Sequence, residues 1–449
     1  MIRLKEIIYW LLALQITWMV SGQEFGTIVG KWKIKYGIQD EMPALHVTTN
    51  NVENLPLKIY DIEPNTQQSN NIYYEFIIEN TKLATVEEKR LNLSDIEGSF
   101  WEGVLHVKGL HIGYTQLYIT LNDPQTDRIE KGGEILEIKV LRNKRIDDKI
   151  FTYTAAAIML LMFINLGTVL DLKRVSPIFL RPVGPLLGFC SRYIVMPALA
   201  IGLGVLMFKT NKNLQLALLF TAIAPSGGIA NICNVFLKGN INLSLAITTL
   251  NSVLALGMLP LWIFLMGPVL YQDSKLNLPF VDLAVGCVGL LLALIVGVIL
   301  RTFIPKTTQF IFRFLKPVSV LLSLCLVAVT VGINAFAFKE ITLMIFLAAL
   351  FLPIIGYILS FVLSKILCRS ITDAMTIAVE TSVLNMSLPI VLLEYTVTQP
   401  MADMLIVVPI LSALLSLCLI VIFYIVRRIF GWNTKRDLDA FDEETFLVE

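Results

Sequence analysis

Between Ala224 and Asn251 the chain reads APSGGIANICNVFLKGNINLSLAITTLN, a stretch crowded with Gly, Pro, Ser, Asn and Thr amid long apolar runs. Pro225, Gly227 and Gly228 interrupt any helix that runs through them, and the carbonyls freed at such a break need a partner that hydrocarbon does not supply. A cation or an ordered water is such a partner. Ser244 and Thr248 stand four residues apart, so on one helix both hydroxyls face the same way. A second interruption lies in IAVETSVLNMSLP, at Glu380-Thr381-Ser382 and again near Asn385 and Pro389. Asn231, Ser244, Thr248 and Glu380 together make an oxygen cage with one formal negative charge, a donor set suited to a hard monovalent cation such as Na⁺. Two bland readings compete. Ser and Thr hydroxyls in helices also bond to carbonyls of their own helix, and Glu380 can be a protonated or Arg-paired structural residue. Charges inside the apolar runs are few; Arg192, in GFCSRYIVMPAL, is another, and charges at membrane depth are costly and are by default functional candidates.

The elements that must position these residues are membrane spans. Of the 449 residues 56% are hydrophobic and 16% charged, and the mean hydropathy is +0.72, far too apolar for a soluble domain of this size. A net charge of +1 offers no pull toward nucleic acid. The charges are uneven: Gln23 to Lys149 reads as soluble, Ile150 to Phe430 as membrane-embedded. Nine apolar runs, near 151–170, 182–207, 214–237, 241–268, 280–304, 316–337, 341–366, 373–394 and 403–428, are each long enough to cross a bilayer. With the N-terminus outside, fourteen Lys and Arg fall in inside loops and four in outside loops, which predicts N-out and C-in. All six cysteines lie in the apolar half without CxxC spacing, and all three histidines lie before it, so neither builds a metal site among the spans.

Residues 1–22 read as a signal peptide, with Arg3 and Lys5 ahead of an apolar core and Val20-Ser21-Gly22 as a small-residue cleavage site. Residues 23–141 alternate with the period of strands in ALHVTT, LPLKIYDI, NIYYEFIIE, GVLHVKG, YTQLYITL and EILEIKVL, which predicts a small antiparallel β-sandwich. KLATVEE and GVLHVKGLHIGYTQLYITL are similar to the last strands of bacterial Ig-like modules. Asn92-Leu93-Ser94 is a glycosylation sequon, used only if this part is extracellular. Residues 142–150 form a charged linker, 151–430 the membrane domain, and 431–449 a solvated cytoplasmic tail behind Arg427 and Arg428.

From Phe151 to Phe430 the chain resembles the bile acid:sodium symporter family (solute carrier family 10). MFINLGTVLDLKRV, YIVMPALAIGLG, APSGGIANICNVFLKGNINLSLAITTLNSVLA and ETSVLN each resemble a shared segment. The long N-terminal part resembles the orphan branch with extended extracellular N-termini. The resemblance implies an inverted-repeat transporter of nine transmembrane helices in which two broken helices cross at the membrane centre beside two Na⁺ sites. It implies Asn231, Ser244, Thr248 and Glu380 as ligands of the first site, and Asn385, with Thr381, at the substrate cavity. Three positions depart from the family pattern: Ala230 stands for a Ser, and Arg192 and Leu384 each for a Gln. The last two belong to the second sodium site, which loses two oxygen donors. Arg192 becomes a candidate counter-ion to Glu380, a permanent cation in place of the second Na⁺.

Two functions follow. The first is Na⁺-driven symport of an organic anion such as a bile acid or sulfated steroid through one intact sodium site, in the plasma membrane and without enzymatic chemistry. The crossed-helix core would rock against a panel of the first, fifth and sixth spans. The second is a non-transporting or sodium-independent membrane protein whose β-rich ectodomain binds an extracellular partner. The retained Asn231, Ser244, Thr248 and Glu380 favour transport, since a scaffold has no need of them.

Overall fold

The structure, a computed structural model, describes residues 28–29, 32–37, 43–62, 72–96, 98–124, 128–143, 146–169, 182–270, 280–303, 321–322 and 324–429. The expected signal peptide, the loop after the first span and the C-terminal tail lie outside the described residues. The chain divides into two units, Met1–Asn143 and Lys144–Glu449.

The first unit is built of strands: β1 (Ile28–Val29), β2 (Lys33–Tyr36), β3 (Ala44–Thr48), β4 (Val52–Tyr60), β5 (Tyr73–Ile78), β6 (Ala84–Val86), β7 (Arg90–Asn92), β8 (Phe100–Gly109), β9 (Gly113–Asp123), β10 (Arg128–Lys131) and β11 (Leu136–Leu141). One sheet runs β1-β10-β9-β11-β3, with β5 on β9 and β7 on β5; the other runs β2-β4-β8-β6. The alternation in the sequence has its physical counterpart here. Leu55, Leu57 and Ile59 of β4 and Leu105 and Val107 of β8 share one core with Leu117 and Ile119 of β9 and Leu136, Ile138 and Val140 of β11. Each such fully buried side chain contributes about 1.5–3 kcal/mol. Two pairings, β11–β3 and β1–β10, are parallel, unlike the purely antiparallel sandwich expected. No tight turn joins either pair, so nothing local forces an antiparallel register.

The second unit is helical: α1 (Ile146–Val169), α2 (Val183–Met207), α3 (Lys212–Ile223), α4 (Gly228–Phe236), α5 (Ile241–Leu270), α6 (Phe280–Phe303), α7 (Leu324–Ile333), α8 (Leu343–Ile366), α9 (Ile371–Ser382), α10 (Ser387–Thr396), α11 (Met401–Leu405) and α12 (Val407–Ile429). Among the described residues four segments are long and apolar enough to cross a membrane: Val183–Met207, Leu343–Ile366, Ile371–Thr396 and Met401–Ile429. α3 with α4, and the two halves of α5 (Ile241–Ala255 and Gly257–Leu270, bent by 55°), bring the count to as many as six when each bent pair is one span.

Both expected interruptions are present. α3 stops at Ile223, because Pro225 drives Ala224 into extended backbone (ψ 135°). Gly227 then takes φ 71° and ψ −170°, a conformation essentially reserved for glycine, and α4 leaves at 64° to α3. α9 ends at Ser382 and α10 begins at Ser387, whose N–H is taken by Asn385 Oδ1 at 2.9 Å. The two breaks meet: a Cβ placed on Gly227 would lie 3.7 Å from Asn385 Nδ2.

Within α2 the residues Ser191–Val195 form a π-helical turn. Pro197 brings no N–H to the carbonyl of Tyr193, and this oxygen instead accepts from Trp262 Nε1 at 2.9 Å. The widened turn faces Arg192 and Tyr193 inward, and both are fully buried.

Candidate functional site

Glu380 sits in the last turn of α9 and is 1% exposed. Four side chains reach its carboxylate. Ser244 Oγ lies 2.5 Å from Oε1, and Asn234 donates to Oε1 at 3.3 Å. Ser226 donates to Oε2 at 2.9 Å and Thr248 lies 3.0 Å from it. Asn231 completes the cluster: its Oδ1 lies 2.7 Å from Ser244 Oγ and 3.3 Å from Thr248 Oγ1. The helix break supplies Ser226, α4 supplies Asn231 and Asn234, α5 supplies Ser244 and Thr248, and α9 supplies Glu380.

The local alternative can be judged by comparison within α5. Thr249 and Ser252 bond back to the carbonyls of Leu245 and Thr248, each at 2.7 Å. Ser244 and Thr248 instead point at Asn231 and Glu380. The four residues named from the sequence, Asn231, Ser244, Thr248 and Glu380, therefore converge on one point. Ser226 and Asn234 escaped the sequence reading. A signal for Asn234 was present, since it follows Asn231 by three residues and must share its helical face. Ser226 had only its place between Pro225 and Gly227.

The proton inventory of this cluster is short. Ser244 and Thr248 carry one hydroxyl hydrogen each, yet each oxygen lies within hydrogen-bond range of both Asn231 Oδ1 and a Glu380 oxygen. Four oxygen–oxygen approaches thus share two hydrogens. Ser226 and Asn234 bring further hydrogens to Glu380 but none to Asn231. Five oxygens gathered around one carboxylate, with no sulfur or imidazole among them, fit a hard cation.

Arg192, the expected counter-ion candidate, is fully buried beside the end of α9 that carries Glu380. Its Nη1 donates to the backbone oxygen of Thr381 at 2.7 Å, while Nε and Nη2 have no hydrogen-bond partner among the described residues. No direct salt bridge joins Arg192 to Glu380 among the described residues, and the carboxylate is held by Ser226, Asn234, Ser244 and Thr248, but the two opposite charges still attract one another. The guanidinium caps the buried C-terminal end of α9 one residue beyond Glu380, where the helix dipole favours positive charge. Leu384 is 1% exposed within the apolar core, and Ala230 is fully buried.

The two residues expected at the substrate cavity, Thr381 and Asn385, make local contacts. The Thr381 hydroxyl bonds back to Ile377 O at 2.8 Å. Asn385 is half-buried and caps α10. A pocket of about 150 Å³ lies behind the α9–α10 break, lined by Tyr357, Ser382, Ser416 and Phe423 among others, and includes neither residue. In the strand unit Asn92 is exposed at the end of β7, with its Nδ2 donating to Asp95 Oδ2 at 3.3 Å.

Comparison with known proteins bears on what this arrangement serves. The Sodium Bile acid symporter family matches residues 156–341. The human hepatic sodium/bile acid cotransporter is 28% identical over 251 residues, covering 55% of this chain and 70% of that protein. The human sodium-dependent organic anion transporter is 28% identical over 250 residues, covering 56% of this chain and 66% of its own length. The human P3 protein is 26% identical over 246 residues, or 54% of this chain and 51% of that protein.

Proposed function

We propose that this chain, whose residues 156–341 match the Sodium Bile acid symporter family, is a member of that family, a secondary transporter and not an enzyme, and that it carries an organic anion, such as a bile acid or sulfated steroid, together with Na⁺. The sodium ligands are Asn231, Ser244, Thr248 and Glu380, with Ser226 and Asn234 holding the carboxylate in place. The observation that carries this reading is the oxygen cluster around Glu380, in which two hydroxyl hydrogens serve four close oxygen contacts. A Na⁺ among these oxygens replaces the repulsion of unprotonated pairs with coordination, and the buried carboxylate supplies its counter-charge.

The ion-free form has its own solution. Asn231 Nδ2 is buried and has no hydrogen-bond partner among the described residues. Turning the carboxamide by half a turn brings Nδ2 inward, donates to both hydroxyls, and frees both hydroxyl hydrogens for Glu380. Asn231 thereby gives the cage two arrangements, one matched to the ion and one to its absence.

Arg192 at the α9 C-terminus and Leu384 in the core support a single ion per turnover, since a fixed cation and a hydrocarbon stand where the resemblance puts oxygen donors of a second site. Nine spans, N-out and C-in, with a signal peptide at 1–22, complete the reading at the plasma membrane. The strand unit is then an Ig-like ectodomain with a glycan on Asn92, and Asn385 and Thr381 face the substrate in another state of the cycle.

Uptake into expressing cells tests the reading directly. Labelled bile acid and steroid sulfate should enter in Na⁺ medium and not in choline medium. Equal uptake in both media at full surface expression would refute sodium coupling and favour a sodium-independent protein acting through its ectodomain.

A further inference from the structure

The outer face of the four-stranded sheet carries a second group of ligating side chains. β6 is an edge strand, laddered to β8 with Val86 opposite Val107. Leu105 and Val107 point into the core, so His106 between them faces outward. Beyond Val86 a continued strand would project Glu87 and Glu88 to opposite faces. The chain bends at Glu87 instead, and both carboxylates turn toward His106. One donor atom from each of Glu87, Glu88 and His106 lies within 4.8 Å of the other two.

The backbone holds this arrangement. Glu87 N donates to His106 O at 3.0 Å, one rung beyond the β6–β8 ladder. His106 N donates to Glu88 Oε2 at 2.8 Å, and His106 Nδ1 is hydrogen-bonded to the other carboxylate oxygen, Oε1. Glu88 is thus fixed by one oxygen and presents the other to the ring.

Charge and donor type then point to an ion. Two carboxylates stand beside one imidazole, and among the described residues neither has a Lys or Arg partner. A protonated imidazole cancels at most one of the two negative charges, whereas a divalent cation cancels both. One imidazole nitrogen with two carboxylate oxygens suits Zn²⁺ better than Ca²⁺ or Mg²⁺, which take oxygen ligands. The side chains of His106 and Glu88 are 41% and 38% exposed, so an ion reaches them from solvent and keeps water on its open positions. Zn²⁺ bonds of about 2.0–2.2 Å set tetrahedral donors about 3.2–3.6 Å apart. The widest separation therefore closes by at most about 1.6 Å, a movement that the exposed Glu87 supplies by a change of rotamer.

We propose that Glu87, Glu88 and His106 bind a Zn²⁺ ion, which enters between His106 Nδ1 and Glu88 Oε1 in place of their shared proton and ties the edge strand β6 to β8. The proton goes to solvent, and water completes the coordination. This ion is independent of the transported Na⁺.

The experiment titrates the purified full-length protein, stripped of metal by a chelator, with Zn²⁺. Affinity is read by calorimetry and ligation by X-ray absorption. The wild type should bind one Zn²⁺ with a single imidazole and only nitrogen and oxygen neighbours. His106→Asn and Glu88→Gln should each weaken binding at least about tenfold, and Glu87→Gln severalfold. His46→Asn and His111→Asn should leave the affinity unchanged, and a thousandfold excess of Ca²⁺ should not displace the ion. A sulfur neighbour at about 2.3 Å would put the metal on cysteines of the helical unit and overturn the site. Displacement by Ca²⁺, or wild-type affinity in His106→Asn, would also overturn it. Should the His106 and Glu88 variants fail to fold, Glu87→Gln decides: wild-type Zn²⁺ affinity in that surface variant would sink the three-ligand site.

Discussion

Replacing Glu380 by Gln isolates the charge of the proposed sodium cage at almost constant shape. In the structure each carboxylate oxygen is approached by two groups: Oε1 by Ser244 and Asn234, Oε2 by Ser226 and Thr248. A Gln amide turns one of these acceptors into a donor facing two donors. Each hydrogen bond so lost costs about 1–3 kcal/mol where the groups stay buried, which lowers stability with or without Na⁺. The second loss appears only with the ion. A cation about 2.4 Å from a carboxylate oxygen, the range typical of hard-cation coordination, gains about 7 kcal/mol at an effective dielectric of about 20. The Gln carbonyl keeps part of the coordination, so a loss of roughly half that value is the conservative expectation. Half of 7 kcal/mol corresponds to a weakening of roughly 10²–10³-fold. Such a variant should show no Na⁺-dependent uptake across the millimolar range. The assay pairs uptake with surface biotinylation, so that a folding failure is distinguished from a binding failure. Thermal stabilisation of the purified variant by Na⁺ provides a second readout, which for the wild type should reach about 2.7 kcal/mol at a hundred times the dissociation constant. A Glu380→Gln protein at the surface, with half-maximal Na⁺ within tenfold of wild type, would refute the role of this carboxylate.

With one sodium per turnover, wild-type uptake should follow a near-hyperbolic Na⁺ dependence, since a lone ion has no second ion to couple to; a steeply sigmoidal curve would count against Arg192 as a fixed cation. Arg192→Gln should weaken Na⁺-dependent transport, because Thr381 O loses its donor and the end of α9 its positive cap, whereas unchanged kinetics would show the guanidinium to be dispensable. Gly227→Ala should lower thermal stability by about 1–3 kcal/mol, the cost of forcing a Cβ-bearing residue into this backbone region, even though the added methyl meets nothing closer than 3.7 Å. Glycosidase should reduce the apparent mass of the protein made in a secretory pathway, and Asn92→Gln should abolish that reduction; an unshifted wild type would place the exposed sequon on the other side of the membrane. In the strand unit the Glu88 side chain, hydrogen-bonded to the His106 ring, raises the imidazole above its ordinary range, while burial pushes Glu88 up less than its bonds to His106 pull it down. The His106 contribution to stability is then full below about pH 6.5 and fades as pH rises through its raised value, whereas that of Glu88 fades as pH falls through its lowered one; an NMR titration of His106 at or below the free value would contradict the pairing.

Much of this protein could be read without coordinates, for reasons that differ by element. The six strands expected between residues 23 and 141 all form, because alternation of apolar and polar residues has one low-energy solution when a single face is buried. The breaks at Pro225–Gly228 and after Glu380 were equally legible, since Pro and Gly limit the backbone whatever surrounds them. The short strands β6, β7 and β10 have too few residues to show a period; β6 and β7 are placed by the non-adjacent strands β8 and β5, and β10 by its hairpin with β9. The same holds for parallel β11–β3. Within the site, the sequence determined which oxygens were available and that Ser244 and Thr248 share a face. Tertiary structure alone decided that Ser226 and Asn234 also reach Glu380, and that Arg192 donates to the carbonyl of Thr381. Spacing along a helix sets the direction of a side chain to within a face. Which atom it meets is set by how two broken helices dock, and that depends on packing across more than a hundred intervening residues.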